Sequence, residues 1–406
     1  MNPLPKIDMA EVGRLTREGR LEEAMAVLRR ALPGGPAAAA PSRPGGKAPP
    51  GPAGGTPPTL DMVPPSAATG GAWTSPPAGG ERAAGRSEGL GQPGIPEALR
   101  GFLGRMGQSG AAGRPAPAPL PAGARFEECR FAGEAGSRTY KLYVPASHGG
   151  RALPLVVMLH GCTQTPDDFA AGTRMNELAE QQGLLVAYPA QAPSANASRC
   201  WNWFGADHQQ RGQGEPSILA GITRRIMREH AVAPGRVYVA GLSAGGAAAA
   251  TMGSAYPELY AAIGVHSGLA CGAASDLPSA LAAMRQGGPR PAGGALPHGV
   301  PTIVFHGDRD TTVHPVNGDR VIAQAREAAD LRTAVEAGEA PGGLRYTRTV
   351  HAEESGRAML ELWVLHGAGH AWSGGSPAGS FTEPRGPDAS RAMVRFFLQH
   401  ATTAGS

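Results

Sequence analysis

Val237-Tyr238-Val239-Ala240-Gly241-Leu242-Ser243-Ala244-Gly245-Gly246 is the stretch on which the reading of this chain turns. A β-branched apolar run ends in Gly-x-Ser-x-Gly and passes directly into an alanine-rich segment. That succession predicts a strand, a sharp turn and a helix, with the Ser243 hydroxyl standing clear of the sheet. A Cβ two residues to either side of the serine would strike the neighbouring strand or helix, hence Gly241 and Gly245. Small residues from Ala244 to Ala250 let the helix lie close to the sheet, its first N–H groups aimed at the serine. The pattern is loose and also fits a small-residue turn after a buried strand. The strand before it and the helix behind it are what favour a nucleophile.

Outward from this turn, strand and helix alternate. Strands are expected at Thr139–Val144, Leu153–His160, Leu184–Tyr188, Val237–Gly241, Ala261–His266, Pro301–His306, Arg345–Val350 and Met359–His366. Helices are expected at about 167–181, 216–230, 243–256, 316–329 and 388–400. Runs such as Leu155-Val156-Val157-Met158-Leu159 are apolar throughout, as strands covered on both faces must be. The result is an α/β domain over 124–403 with a mostly parallel central sheet flanked by helices. In such sheets function gathers at the carboxyl ends of the strands.

Three further loops follow predicted strands. Leu159-His160-Gly161-Cys162-Thr163-Gln164 can supply one backbone N–H to an oxyanion hole, the second coming from the residue after the nucleophile; these are the amides of Cys162 and Ala244. Thr165, Pro166, Asp167 and Asp168 suit the start of the next helix. Phe305-His306-Gly307-Asp308-Arg309-Asp310 offers an acid where a histidine-orienting carboxylate belongs. The spacing His-Gly-x-x-Asp-x-x-Val favours Asp310, with Asp308 as rival or loop cap. Leu365-His366-Gly367-Ala368-Gly369-His370-Ala371-Trp372 carries the base: glycines around His370 leave it free to swing over the serine, while His366 sits at a strand end. The chain order Ser243, Asp310, His370 is that of the α/β-hydrolase fold.

Three of the five tryptophans, Trp201, Trp203 and Trp372, fall in these loops. They are candidates for a substrate groove. Pinning a loop to the core is the equal alternative for Trp201 and Trp203, whereas Trp372 is expected to be a substrate wall. Four cysteines allow three pairings. A Cys162–Cys200 bridge would brace the oxyanion loop against the tryptophan loop, and Cys129 and Cys271 stay unassigned.

Composition sets the outer limits. Residues 33–123 are dominated by Pro, Gly and Ala and cannot bury enough surface to offset chain entropy, so a disordered linker is expected there. Residues 8–32 show apolar spacing of an amphipathic helix pair broken at Gly19, and 96–106 a further short helix. Such a segment calls for a docking partner, a protein or a granule surface. The net charge of +4 lies in the tail: residues 1–122 hold 13 Lys+Arg against 9 Asp+Glu, residues 123–406 hold 24 of each. A balanced folded part argues against nucleic acid as a partner. No apolar run is long enough to span a membrane. Histidines are scattered without metal spacing, and no phosphate-cradling glycine loop is visible, so neither metal nor cofactor is expected.

Taken together, Leu159 to Gln164, Cys200-Trp201-Asn202-Trp203-Phe204, Gly241 to Gly246, His306 to Asp310 and Gly369-His370-Ala371-Trp372-Ser373-Gly374-Gly375 resemble the polyhydroxybutyrate depolymerase esterases with the type 1 catalytic domain. These are relatives of feruloyl and acetylxylan esterases. The resemblance covers about 124–400. It implies an α/β-hydrolase fold, serine esterase activity, hydroxyalkanoate esters as substrates and a part for Cys162 in the oxyanion hole. It also implies secretion, whereas Met1 to Lys6 opens no apolar signal core, so extracellular and cytoplasmic locations both stay open. No polymer-binding domain follows the last helix, so short or amorphous esters are expected. Within the family, a feruloyl or acetylxylan esterase is the rival. From another class, the rival is an interaction protein that uses its N-terminal tail.

Overall fold

The computed structural model describes residues 119–289, 299–326 and 331–402. The expected helices at 8–32 and 96–106, and nearly all of the linker, lie outside them. Ten strands form one sheet: β1 (Arg125–Gly133), β2 (Gly136–Val144), β3 (Leu153–Leu159), β4 (Leu185–Pro189), β5 (Val232–Leu242), β6 (Ala262–His266), β7 (Thr302–Gly307), β8 (Arg332–Glu339), β9 (Arg345–Ala352) and β10 (Ala358–Leu365). Their order is β1-β2-β4-β3-β5-β6-β7-β10-β9-β8. The six central strands, β4 through β10, run parallel, and an antiparallel pair flanks them on each side. Strands β11 (Trp372–Ser373) and β12 (Thr382–Glu383) make a separate small parallel pair.

The central strands alternate between two cores. Leu155, Val157 and Leu159 of β3 face one, with α3 (Gly214–Glu229), α4 (Ala244–Ala255) and α6 (Val316–Ala325). Val156 and Met158 face the other, with α1 (Pro166–Thr173), α2 (Met175–Gln182) and α7 (Ala389–Phe397). Both faces are covered, which is why those runs are apolar without a break.

The structure departs from the sequence expectation at several elements. The helix expected at 167–181 is two, α1 and α2, divided by Arg174 in left-handed backbone (φ 55°). Helix α5 (Leu277–Gln286) was not anticipated; Asp276 caps it and Pro278 sits in its first turn. Strands β1 and β8 were also not anticipated: β8 is exposed almost along its length and shows no apolar alternation. Such edge strands are held by their neighbour's ladder rather than by their own burial pattern.

Candidate active site

Ser243 stands between β5 and α4 at φ 58° and ψ −120°. A non-glycine residue in that conformation costs about 1–3 kcal/mol and persists only where its surroundings hold it. The Ser243 N–H donates to the His266 carbonyl at 2.9 Å. An added Cβ would lie 2.0 Å from Leu159 O at Gly245 and 2.3 Å from Gly245 O at Gly241. Backbone leaves no room for a Cβ at either position, so the two glycines are dictated by space.

The loop after β7 carries Asp310, whose carboxylate is fully buried. Oδ1 accepts from the N–H groups of Thr312 and Val313 at 2.9 Å each, and Oδ2 lies 2.7 Å from Nδ1 of His370. Nε2 of His306 is 3.5 Å from Oδ2 and 2.9 Å from the Val313 carbonyl. Burial alone would raise the Asp310 pKa. The His370 charge and the His306 and His370 hydrogen bonds outweigh it and hold the carboxyl well below the usual range. The rival acid does something else: Asp308 accepts from Gly367 N at 2.7 Å and pairs with His366 Nδ1 at 3.0 Å. Thus Asp310 meets His370, and Asp308 ties down the loop on which His370 sits.

Nε2 of His370 is buried and free of hydrogen-bond partners among the described residues. No hydrogen bond joins it to Ser243 Oγ among those residues. Both groups lie at the carboxyl edge of the sheet, Ser243 just beyond β5 and His370 five residues beyond β10. His266, at the end of β6, spans the gap: it pairs with Leu242 in the ladder, and its Nε2 accepts from Ser373 N at 3.0 Å. Burial, with the charges of His306 and His370, pushes the His266 pKa well below the ordinary value, against a weaker pull from Asp310. It is therefore a neutral strut between the serine strand and the histidine loop.

On the other side of the serine is the loop after β3. A Cβ on Gly161 would sit 3.6 Å from the Ser243 Cβ. His160 accepts at Nε2 from Gln191 N at 3.1 Å, so its proton is on Nδ1, which donates to the Gly161 carbonyl at 2.7 Å. In a trans peptide the carbonyl and the next N–H point opposite ways, so this bond sets the direction of the Cys162 N–H. Among the described residues that N–H has no hydrogen-bond acceptor. Ala244 is the first residue of α4, where an N–H has no partner within the helix. Gln164 Oε1 accepts from Gly161 N at 2.9 Å, and its amide reaches Asp168 Oδ2 at 2.9 Å and Ser380 at 3.2 Å. Cys162 and Cys200 form a disulfide, while Cys129 and Cys271 are free thiols.

The expectation for Trp372 needs correction, and of the two alternatives for Trp201 and Trp203 the burial favours pinning. Trp372 is 1% exposed, packs edge-on to Phe169, stacks on His266 and donates Nε1 to Ser390 Oγ at 3.0 Å. A ring satisfied at its one polar atom and closed in by aromatics is a core residue and not a substrate wall. Trp201 is equally buried and donates to the His160 carbonyl at 3.1 Å; Trp203 is buried against Phe204. Both pin their loop to the core. Conversely, His160, His266 and His306, which carry no role in the sequence reading, hold much of the site's architecture. Their signal was a histidine as the last apolar-strand residue, twice followed by glycine, at 160–161 and 306–307.

Among the described residues no cluster of three or more His, Cys, Asp or Glu could hold a metal, and no helix is long and apolar enough to cross a membrane. Comparison with known proteins bears on the family and the fold. Residues 138–344 match the family model of the esterase PHB depolymerases. Poly(3-hydroxyalkanoate) depolymerase C of Paucimonas lemoignei is 30% identical over 239 residues, 56% of this chain and 57% of that protein. Feruloyl esterase B of Neurospora crassa is 36% identical over 130 residues, 30% of this chain and 43% of that protein. The chain thus spans under two thirds of the length of either relative. An acetyl xylan esterase from Aspergillus awamori superposes with a TM-score of 0.53 at 20% identity, over 68% of this chain and 99% of that one, and so shares the fold. The family's pattern takes in half of the sequence, and the chain belongs to the esterase PHB depolymerase family.

Proposed function

We propose that this protein is a serine carboxylic-ester hydrolase acting on short 3-hydroxyalkanoate oligomers. Ser243 Oγ attacks the ester carbonyl carbon as His370 Nε2 takes its proton, and the N–H groups of Cys162 and Ala244 hold the oxyanion. Collapse of the tetrahedral intermediate expels the alcohol, which recovers the proton from His370 and leaves an acyl group on Ser243. A water molecule, deprotonated by His370, then releases the acid. Asp310 keeps the proton of neutral His370 on Nδ1 and stabilises the imidazolium. One observation carries this reading: a buried, fully bonded Asp310 2.7 Å from a histidine whose other nitrogen has no partner among the described residues. Purified Ser243→Ala should fold normally and lose hydrolysis of p-nitrophenyl butyrate by about 10⁴ or more. Near-normal turnover in that variant would reject the assignment. Relatives named feruloyl esterase B and acetylxylan esterase A support a second substrate reading. Rates on methyl ferulate beside those on 3-hydroxybutyrate oligomers separate the two.

A further inference from the structure

We infer that a cavity beside the oxyanion loop is a subsite for the terminal carboxylate of an acid-ended oligoester. This rests on the esterase reading above and names the form of substrate it favours. The cavity measures about 430 Å³. It lies on the same edge of the sheet as Ser243: β2 runs antiparallel to β4, so Tyr140 pairs with Pro189 at the carboxyl end of that strand. His160 and Gln164, which position the oxyanion loop, form its inner wall.

Its charged lining is Arg130, Arg138, Lys141 and Arg199 against Glu128 and Asp167. Two of the cations are already matched, Lys141 by Asp167 at 2.5 Å and Arg138 by Glu215 at 3.6 Å. Arg130 and Arg199 make no ion pair among the described residues. Arg199 is the telling one. It is half-buried, in left-handed backbone (φ 52°), and immediately precedes Cys200. The disulfide puts the Cα atoms of Cys200 and Cys162 4.2 Å apart, and Ser198 O accepts from Thr163 N at 2.7 Å. The segment bearing Arg199 is therefore strapped alongside the amide assigned to the oxyanion.

An unpaired, half-buried guanidinium offers a planar fork of donors that a carboxylate fills with two parallel bonds. A linear chain of 3-hydroxyacyl units has one such group, at the end of its leaving-group side. When cleavage falls one or two units from that end, the carboxylate lies a few bonds from the scissile ester, and it is this group that Arg199 would take. An internal polymer bond brings no charge there. The arrangement thus favours soluble, acid-terminated oligomers over uncharged chain interiors.

The test compares kcat/KM for cleavage of the internal esters of the 3-hydroxybutyrate trimer as free acid and as its methyl ester, followed by product analysis because the methyl ester adds a methyl group and one more ester bond. Wild type should prefer the acid, and the preference should shrink as salt is raised to about 0.5 M. Arg199→Gln should lower the acid-to-ester ratio about ten-fold, chiefly through KM, a size expected of one charge-assisted bidentate pair. Arg130→Gln, remote from the disulfide, should lower it less, and Glu128→Gln should raise it. A wild-type ratio near one, an unchanged ratio in both arginine variants, or a loss shared equally by the two substrates would overturn the inference. Failure of wild type to hydrolyse any ester would instead sink the esterase reading. Calorimetric binding of the two trimers to full-length Ser243→Ala, with and without Arg199→Gln, still decides the pocket in that event: equal affinities refute it.

Discussion

Replacing Asp310 by Asn tests the site most directly, because the structure assigns each of its oxygens a separate task. Oδ1 accepts from two backbone N–H groups, and an amide oxygen there preserves both bonds and with them the loop. Oδ2 faces His370 Nδ1 at 2.7 Å, and in the variant an NH₂ stands in its place. A donor at that position forces the proton of neutral His370 onto Nε2, the atom that must accept from Ser243. The expected loss is that of a triad locked in the wrong tautomer, about 10⁴ in kcat, or about 5 kcal/mol of transition-state stabilisation. Asp308→Asn is the control. Its carboxylate is over a third exposed and among the described residues bonds Gly367 and His366, neither of them in the triad, so the expected loss is less than about ten-fold. The assay is steady-state hydrolysis of p-nitrophenyl butyrate at pH 7.5, with circular dichroism to verify folding. Equal losses in the two variants, or a loss below about ten-fold in Asp310→Asn, would refute the assignment.

Further predictions concern the groups around the triad. The Asn side-chain amide can occupy the position of His Nδ1 and that of Gln the position of Nε2. His160→Asn should therefore retain most of kcat, while His160→Gln should lose about 10²–10³ with little change in KM, as for loss of one oxyanion donor; equal effects would argue for plain packing. Burial pushes the pKa values of His160 and His400 down to about 4, and that of His266 well below its ordinary value. The unfolded chain binds these protons first, so stability should fall as pH drops from about 6.5 toward 4, by up to about 1.4 kcal/mol per pH unit for each histidine. A urea midpoint unchanged between pH 7 and pH 5 would contradict this. Trp372→Phe should cost about 1–3 kcal/mol of stability through the lost hydrogen bond to Ser390 Oγ, which keeps its own bond to the Thr173 carbonyl, and through the smaller ring, leaving the substrate profile unaltered. A shifted acyl-chain preference in that variant would restore the substrate-wall role.

Much of this was legible before any coordinates. Gly-x-Ser-x-Gly between an apolar run and an alanine run predicts the elbow because local sterics alone demand it, and Gly241 and Gly245 show the backbone approach that leaves no room for a Cβ. Continuous apolar strands such as Leu155 to Leu159 predict a sheet covered on both faces because burial leaves no other composition. Those signals are local, written in neighbouring residues. Tertiary structure alone decided what depends on residues far apart in the chain. Asp310 rather than Asp308 meets His370 across 60 positions, and a tryptophan two residues past the histidine turns into the core to reach Ser390. Whether Arg199 has an acid beside it is likewise a question of which loops the disulfide and the sheet edge bring together. A side chain's type is fixed by its codon, but its partner is chosen by the fold, and in this protein the partners set the pKa values, the tautomers and the charge left over for a ligand.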